Sequence, residues 1–170
     1  MSFVSGVGRV ALAAALISFV GVSCVGFTVH AATPQVTTQV KQRQDKLRDM
    51  GGALKAITDE LKKPKVDWDN TIIPNAQTIK DRSAYLLNWF PKGTGPESGV
   101  KTYALPVLWQ KTDDFTKLGK AAQAEAIKLD QVANSKDEGA IRAQAVVMGK
   151  ACKACHDEFR SKDYEKENEE

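Results

Sequence analysis

Four stretches of this chain repeat apolar residues at steps of three, four and seven, and beyond Ala32 no alternating or β-branched run suggests a strand. Helices that pack by their apolar stripes are what remains. In the first stretch Val36, Val40, Leu47, Met50, Leu54, Ile57 and Leu61 form one line with charged residues between them. Pro34 stands where a helix can begin, and Pro64 stops it. The second stretch starts near Asp67 or Asn70, carries Ile72, Ile73, Ala76, Ile79, Leu86 and Phe90, and has Pro74 in a place that suits a first turn. It ends at Phe90-Pro91, before the polar, glycine-rich loop 92–99. The third opens around Ala104 to Trp109, has a candidate break at Thr112-Asp113-Asp114, and continues through Phe115, Leu118, Ala122, Ala126, Leu129 and Ala133 to Asn134-Ser135. The fourth steps through Ile141, Ala145, Met148, Cys152, Cys155 and Phe159. The expected fold is all-α, an antiparallel up-down-up-down four-helix bundle. The tail after Lys162, rich in Asp and Glu, reads as a solvated, fraying helix end without a function of its own.

The N-terminal region differs from the rest. Arg9 is followed by the apolar run Val10 to Val20 and a less regular stretch ending Val29-His30-Ala31, which reads as an export signal over residues 1–31, cleaved after Ala31. An uncleaved anchor is the alternative, because Val10 to Val29 is about long enough to cross a bilayer. Cys24 raises a lipoprotein site as a further option, although Gly21 stands where such a site wants a large aliphatic residue. The expected domain is residues 32–170, in the periplasm. Of 24 basic residues only Arg9 precedes Ala32, and no acidic one does, so 23 basic face 21 acidic groups. Both signs are interspersed, which excludes the clustered basic face that nucleic acid requires.

Without residues 1–31 the cysteines are Cys152 and Cys155, followed at once by His156. Cys152-Lys-Ala-Cys155-His156 is the C-x-x-C-H haem attachment pattern, in which two thiols add to the porphyrin vinyl groups and the imidazole reaches the iron. On a helix, positions i, i+3 and i+4 share a face, so all three groups can meet one flat ligand. A thiol redox pair is a weaker alternative, since it normally starts a helix after a strand. A closed zinc site wants four ligands and would have only His30 to add. No other constellation of acid, base and nucleophile is visible, so no enzymatic role is expected.

With these residues in view, the chain resembles the cytochrome c′ family, including its low-spin cytochrome c-556 relatives. The likeness rests on Cys152-Lys-Ala-Cys-His-Asp-Glu-Phe-Arg160, similar to the family's C-x-x-C-H-D-x-(Phe/Tyr)-Arg, and on Val40-Lys-Gln-Arg-Gln-Asp-Lys-Leu47. Asn75-Ala76, the Phe90-Pro91 stop and the Trp109 to Phe115 stretch add to it. Cytochrome c′ is an established example of the bundle expected above. The resemblance implies one covalently bound haem c, with His156 as iron ligand and Leu47 at the sixth coordination position. Leucine offers no donor atom, so it implies five-coordinate, high-spin iron that takes nitric oxide or carbon monoxide, exchanges electrons with periplasmic redox proteins, or both. It also implies a homodimer through the first two helices.

The alternative is a six-coordinate electron carrier of the c-556 type, with Met50, three residues beyond Leu47, bringing its sulfur to the iron. Arg43 is similar to an arginine that approaches a haem propionate in the family; the alternative is a residue of a solvated helix face. Arg160, four residues after His156, lies near the haem if the helix continues, or pairs at the surface with Asp157 or Glu158. Phe159 is expected against haem or core. Trp68, Trp89 and Trp109 read as core or edge residues.

Overall fold

The computed structural model describes residues 32–168. The expected export segment and Cys24 lie outside the described residues. Helix α1 spans Pro34–Glu60, started by Thr33, whose Oγ1 accepts from the Val36 N–H at 3.3 Å, and by Pro34 in the first turn. A π turn, Trp68–Ile72, is capped by Asp67 and leads into α2, Ile73–Ser83, with Pro74 in its first turn. The short helix α3, Val107–Gln110, stops at Lys111 and α4 takes over from Thr112 to Ser135. Lys136 then adopts a left-handed φ of 55°, and Asp137 caps α5, Glu138–Phe159, by accepting from the Ala140 N–H at 2.9 Å. A last helix, α6, covers Asp163–Asn168.

The four long helices pack in a ring: α1 on α2, α2 on α4, α4 on α5, and α5 back on α1. The two-residue link Lys136-Asp137 makes α4 and α5 an antiparallel pair, and the ring is the expected bundle. Ile57, Ile72, Ile79, Ala126, Leu129, Ala133, Ile141 and Met148 are essentially inaccessible and form the main core. A second cluster, Leu108, Phe115 and Phe159, closes the other end. There Phe115 stands edge-on to Phe90 (centroids 4.9 Å apart) and to Phe159 (5.5 Å). At Gly119 the Leu87 side chain packs directly on the helix, and a β-carbon there would make the end of that leucine move aside.

Three expectations change. The second stretch is not one helix to Phe90: α2 ends at Ser83, and a 3-10 turn over Leu86–Trp89 bends the chain. This frees Leu86 and Trp89 to turn inward, where both are buried. The break in the third stretch falls at Lys111, one residue ahead of Thr112, whose following Asp113 and Asp114 sit in the first turn of α4 and favour its positive dipole end. The tail is not a fraying continuation either. Helix α5 stops at Phe159, Arg160 is extended (φ −109°, ψ 134°), and α6 folds back as a separate element.

Candidate functional site

Between α1 and α5, near the aromatic end of the bundle, the helices part around a cavity of about 510 Å³. That is within the roughly 300–1,000 Å³ of ordinary ligand and cofactor sites. Helix α5 puts Cys152, Cys155 and His156 on its wall, and all three are half-buried, whereas the intervening Lys153 and Ala154 are exposed. The helical phase anticipated from the spacing is therefore the one adopted. Leu47 and Met50 of α1 line the same cavity; Met50 is also part of the main core, and Leu47 packs against that core half-buried. Phe159 is buried and lines the cavity together with Phe90, Leu108 and Phe115.

Burial controls the chemistry of these groups. It pushes the Cys155 thiol up to about 11, helped by Cys152 and Glu158, and raises Cys152 as well. Redox-active thiols need the opposite, a lowered pKa at a helix N-terminus, and these sit near the C-terminal end of α5. Both cysteines are free. Burial, with the Arg160 cation next in weight, pushes His156 down to about 4. The imidazole is therefore neutral at pH 7, the form whose lone pair binds a metal. Among the described residues no group of three or more His, Cys, Asp and Glu side chains is gathered to hold a bare metal ion.

Arg43 is not on a solvated face. It is 2% exposed, and its guanidinium donates to Thr94 Oγ1 (2.9 Å), Thr94 O (2.9 Å), Thr102 Oγ1 (3.0 Å) and Trp89 O (3.4 Å). Its Cζ lies 4.7 Å from the Phe90 ring centroid, and desolvation holds its pKa down at about 10. It lines the cavity while tying α1 to the loop 89–102. Arg160 also lines the cavity; it pairs with Glu165 at 3.0 Å rather than with Asp157 or Glu158. Periodicity gave no warning of the strap Lys101-Thr102-Tyr103-Ala104, which lines the cavity and pairs with the end of α5 through Leu105 N–H to Phe159 O (2.9 Å) and Ser161 N–H to Tyr103 O (2.7 Å). The adjacent Gly51 and Gly52, both lining the cavity, were a legible signal. Two glycines inside a helix cost roughly 1 kcal/mol each relative to alanine, and a β-carbon at either would meet nothing within 4 Å.

Two thiols and a neutral imidazole stand on one helical face. Around them are the apolar side chains of Leu47, Met50, Leu86, Phe90, Leu108 and Phe159, with Arg48 and Lys101 at the rim. These walls fit a flat apolar macrocycle that carries carboxylates. Fold and site together define a c-type cytochrome built on a four-helix bundle. The model of the cytochrome c′ family matches residues 38–160, more than half of the chain. The chain belongs to that family, whose members carry one covalently bound haem c. It is 30% identical over 135 residues to a cytochrome c′ of Rhodospirillum rubrum, covering 79% of this chain and 89% of that one. The crystal structure of cytochrome c′ from Thermochromatium tepidum is similar with a TM-score of 0.69 at 25% identity, over 74% of this chain and 96% of that one. A nitric oxide complex of a leucine-to-isoleucine variant of cytochrome c prime from Alcaligenes xylosoxidans is similar with a TM-score of 0.67 at 29% identity, over 75% and 97%.

Proposed function

We propose that Cys152 and Cys155 hold the haem, that His156 is its one protein ligand, and that the Leu47 side of the site receives small uncharged diatomic molecules such as nitric oxide and carbon monoxide. The haem supplies an iron that binds such gases and can move one electron. Leu47 carries the reading: it lines the cavity from α1, the wall that faces α5, and has no atom to donate to a metal. An apolar side chain there also gives water no hydrogen-bond partner, so neutral diatomics are favoured over water. The nitric oxide complex of the Alcaligenes xylosoxidans protein supports the same ligand class. The ferrous protein is expected to show a broad, unsplit Soret band that sharpens when carbon monoxide is added. Split α and β bands that ignore the gas would overturn the reading.

One observation favours a second reading. Met50 lines the same cavity, one turn beyond Leu47, and its thioether would be the sixth ligand of an electron carrier if a small shift of α1 brought it to the iron. Substituting Met50→Leu separates the two: the first reading expects the ferrous spectrum unchanged, the second expects conversion to high spin. The physiological setting we infer is the periplasm, reached by removal of residues 1–31, with exchange of electrons with redox proteins there. N-terminal sequencing of the exported protein should begin at Ala32. A homodimer through α1 and α2 is part of this reading, and light scattering should give twice the mass of the cleaved chain.

A further inference from the structure

Helix α6 has six residues, and isolated helices below about 12–15 residues do not hold together in water. Its position must come from tertiary contacts, and those converge on groups that line the haem cavity. The Tyr164 ring stands edge-on to Tyr103, centroids 5.1 Å apart, and the Arg160 Cζ lies 4.5 Å from the Tyr164 centroid. Glu165 Oε1 accepts from Arg160 Nη2 at 3.0 Å. Glu167 accepts from the Tyr103 hydroxyl at 2.7 Å and forms an ion pair with Lys101. At the base of α6, Ser161 Oγ donates to Asp163 Oδ2 at 2.9 Å. Lys101, Tyr103, Arg160 and Tyr164 all line the cavity beside His156. The family match ends at residue 160, so α6 lies outside the span that matches the family model.

We propose that α6 is a latch on the His156 side of the haem site, in which Tyr164 and Glu165 are positioning residues that hold the Arg160 guanidinium and the strap 101–104, and so set the charge and exposure at the iron's protein ligand. The proposal rests on His156 being that ligand. Arg160 is joined to the ligand through the backbone, its N–H donating to the His156 carbonyl at 3.1 Å, so its charge stays near the iron whether or not Glu165 balances it. Groups around a metal-bound histidine tune the metal in this way. An unbalanced cation disfavours the ferric state, which carries the greater positive charge. Tyr164 acts by covering: it fills the space between the strap and Arg160 that water would otherwise enter.

Two measurements on the full-length chain test the latch. In the haem-loaded protein, Glu165→Gln should raise the midpoint potential. Asp69→Asn, which removes an exposed carboxylate paired with Lys136 at the other end of α5, should leave it where it is. Hydrogen exchange of Tyr164→Ala and Glu167→Gln should show faster deuterium uptake at the Leu105 and Ser161 amides, with the core of α4 unaffected. Equal potentials for wild type and Glu165→Gln, or unchanged uptake at both amides, would overturn the proposal. Exchange reads backbone amides and not the iron, so a colourless product counts against the haem assignment, whereas unchanged uptake counts against the latch.

Discussion

In the proposed reading ligand chemistry turns on Leu47, a side chain of α1 that brings bulk but no donor atom to the cavity. Replacing it by methionine adds a thioether of similar volume at the same place. Leu47→Met is expected to give a low-spin ferrous spectrum with split α and β bands, and to weaken carbon monoxide binding at least about tenfold, since the gas must then displace a ligand at a cost above about 1.4 kcal/mol. Titration of the ferrous protein with the gas measures this directly. Arg43 matters for another reason. Its four donated hydrogen bonds end on Thr94, Thr102 and Trp89, and an apolar replacement strands those acceptors in a buried place. Arg43→Met should therefore lower stability by roughly 2–4 kcal/mol in urea unfolding, with amide exchange rising first in the loop 90–102.

At the scale of elements, two helix boundaries decide how the site is presented. The start of α5 depends on Asp137, whose carboxylate accepts from the Ala140 N–H. Removing that cap by Asp137→Ala should cost about 1 kcal/mol, seen as a lower melting temperature with the haem spectrum unchanged, because Cys152 to His156 lie several turns away. The end of α5 is the more consequential boundary. Had the helix run on past Phe159, Arg160 would have stayed one turn beyond His156 on the same face, and the tail would have left the bundle. Instead the chain becomes extended at Arg160 and pairs with the strap at Ala104, which brings the strap, α6 and the Cys152–His156 turn of α5 to one edge of the cavity. The contacts there are individually small: an edge-to-face aromatic pair is worth about 0.5–1.5 kcal/mol and an exposed ion pair about 0–1 kcal/mol.

For the molecule as a whole, acid is expected to destabilise the haem-free chain. His156 titrates at about 4 when folded and near 6.5 in an open chain, so between those values the unfolded state binds the extra proton and stability falls as pH is lowered. One such group contributes at most about 1.4 kcal/mol per pH unit, less here because the ring is only half-buried. The carboxylates continue the trend. Lysine partners and hydrogen bonds depress Asp59, Glu60, Glu125, Asp163 and Glu167, so the stability they contribute is complete above their ordinary values and is lost as pH falls through the depressed ones. The urea midpoint of the haem-free chain should hold from pH 8 to 7, decline from about 6.5 to 4, and keep declining below that. A flat profile down to pH 4 would show that His156 is not buried as described.

Much of this protein is written locally. A stripe at helical spacing needs only its own residues to show which face is apolar, and C-x-x-C-H needs only one turn of helix to set two sulfurs and an imidazole side by side. For that reason the bundle, the apolar faces of α1, α4 and α5, and the shared face of Cys152, Cys155 and His156 could be read from residue order alone. Arg43 could not, because a cation on a helix reads as solvated until the loop carrying Thr94 and Thr102 arrives from more than fifty residues away to accept its hydrogen bonds. The break after Ser83, the strap and the folded-back α6 are of the same kind. Each short segment lacks the length to declare a periodicity, and each is held by partners that are distant in sequence and become neighbours only when the bundle closes.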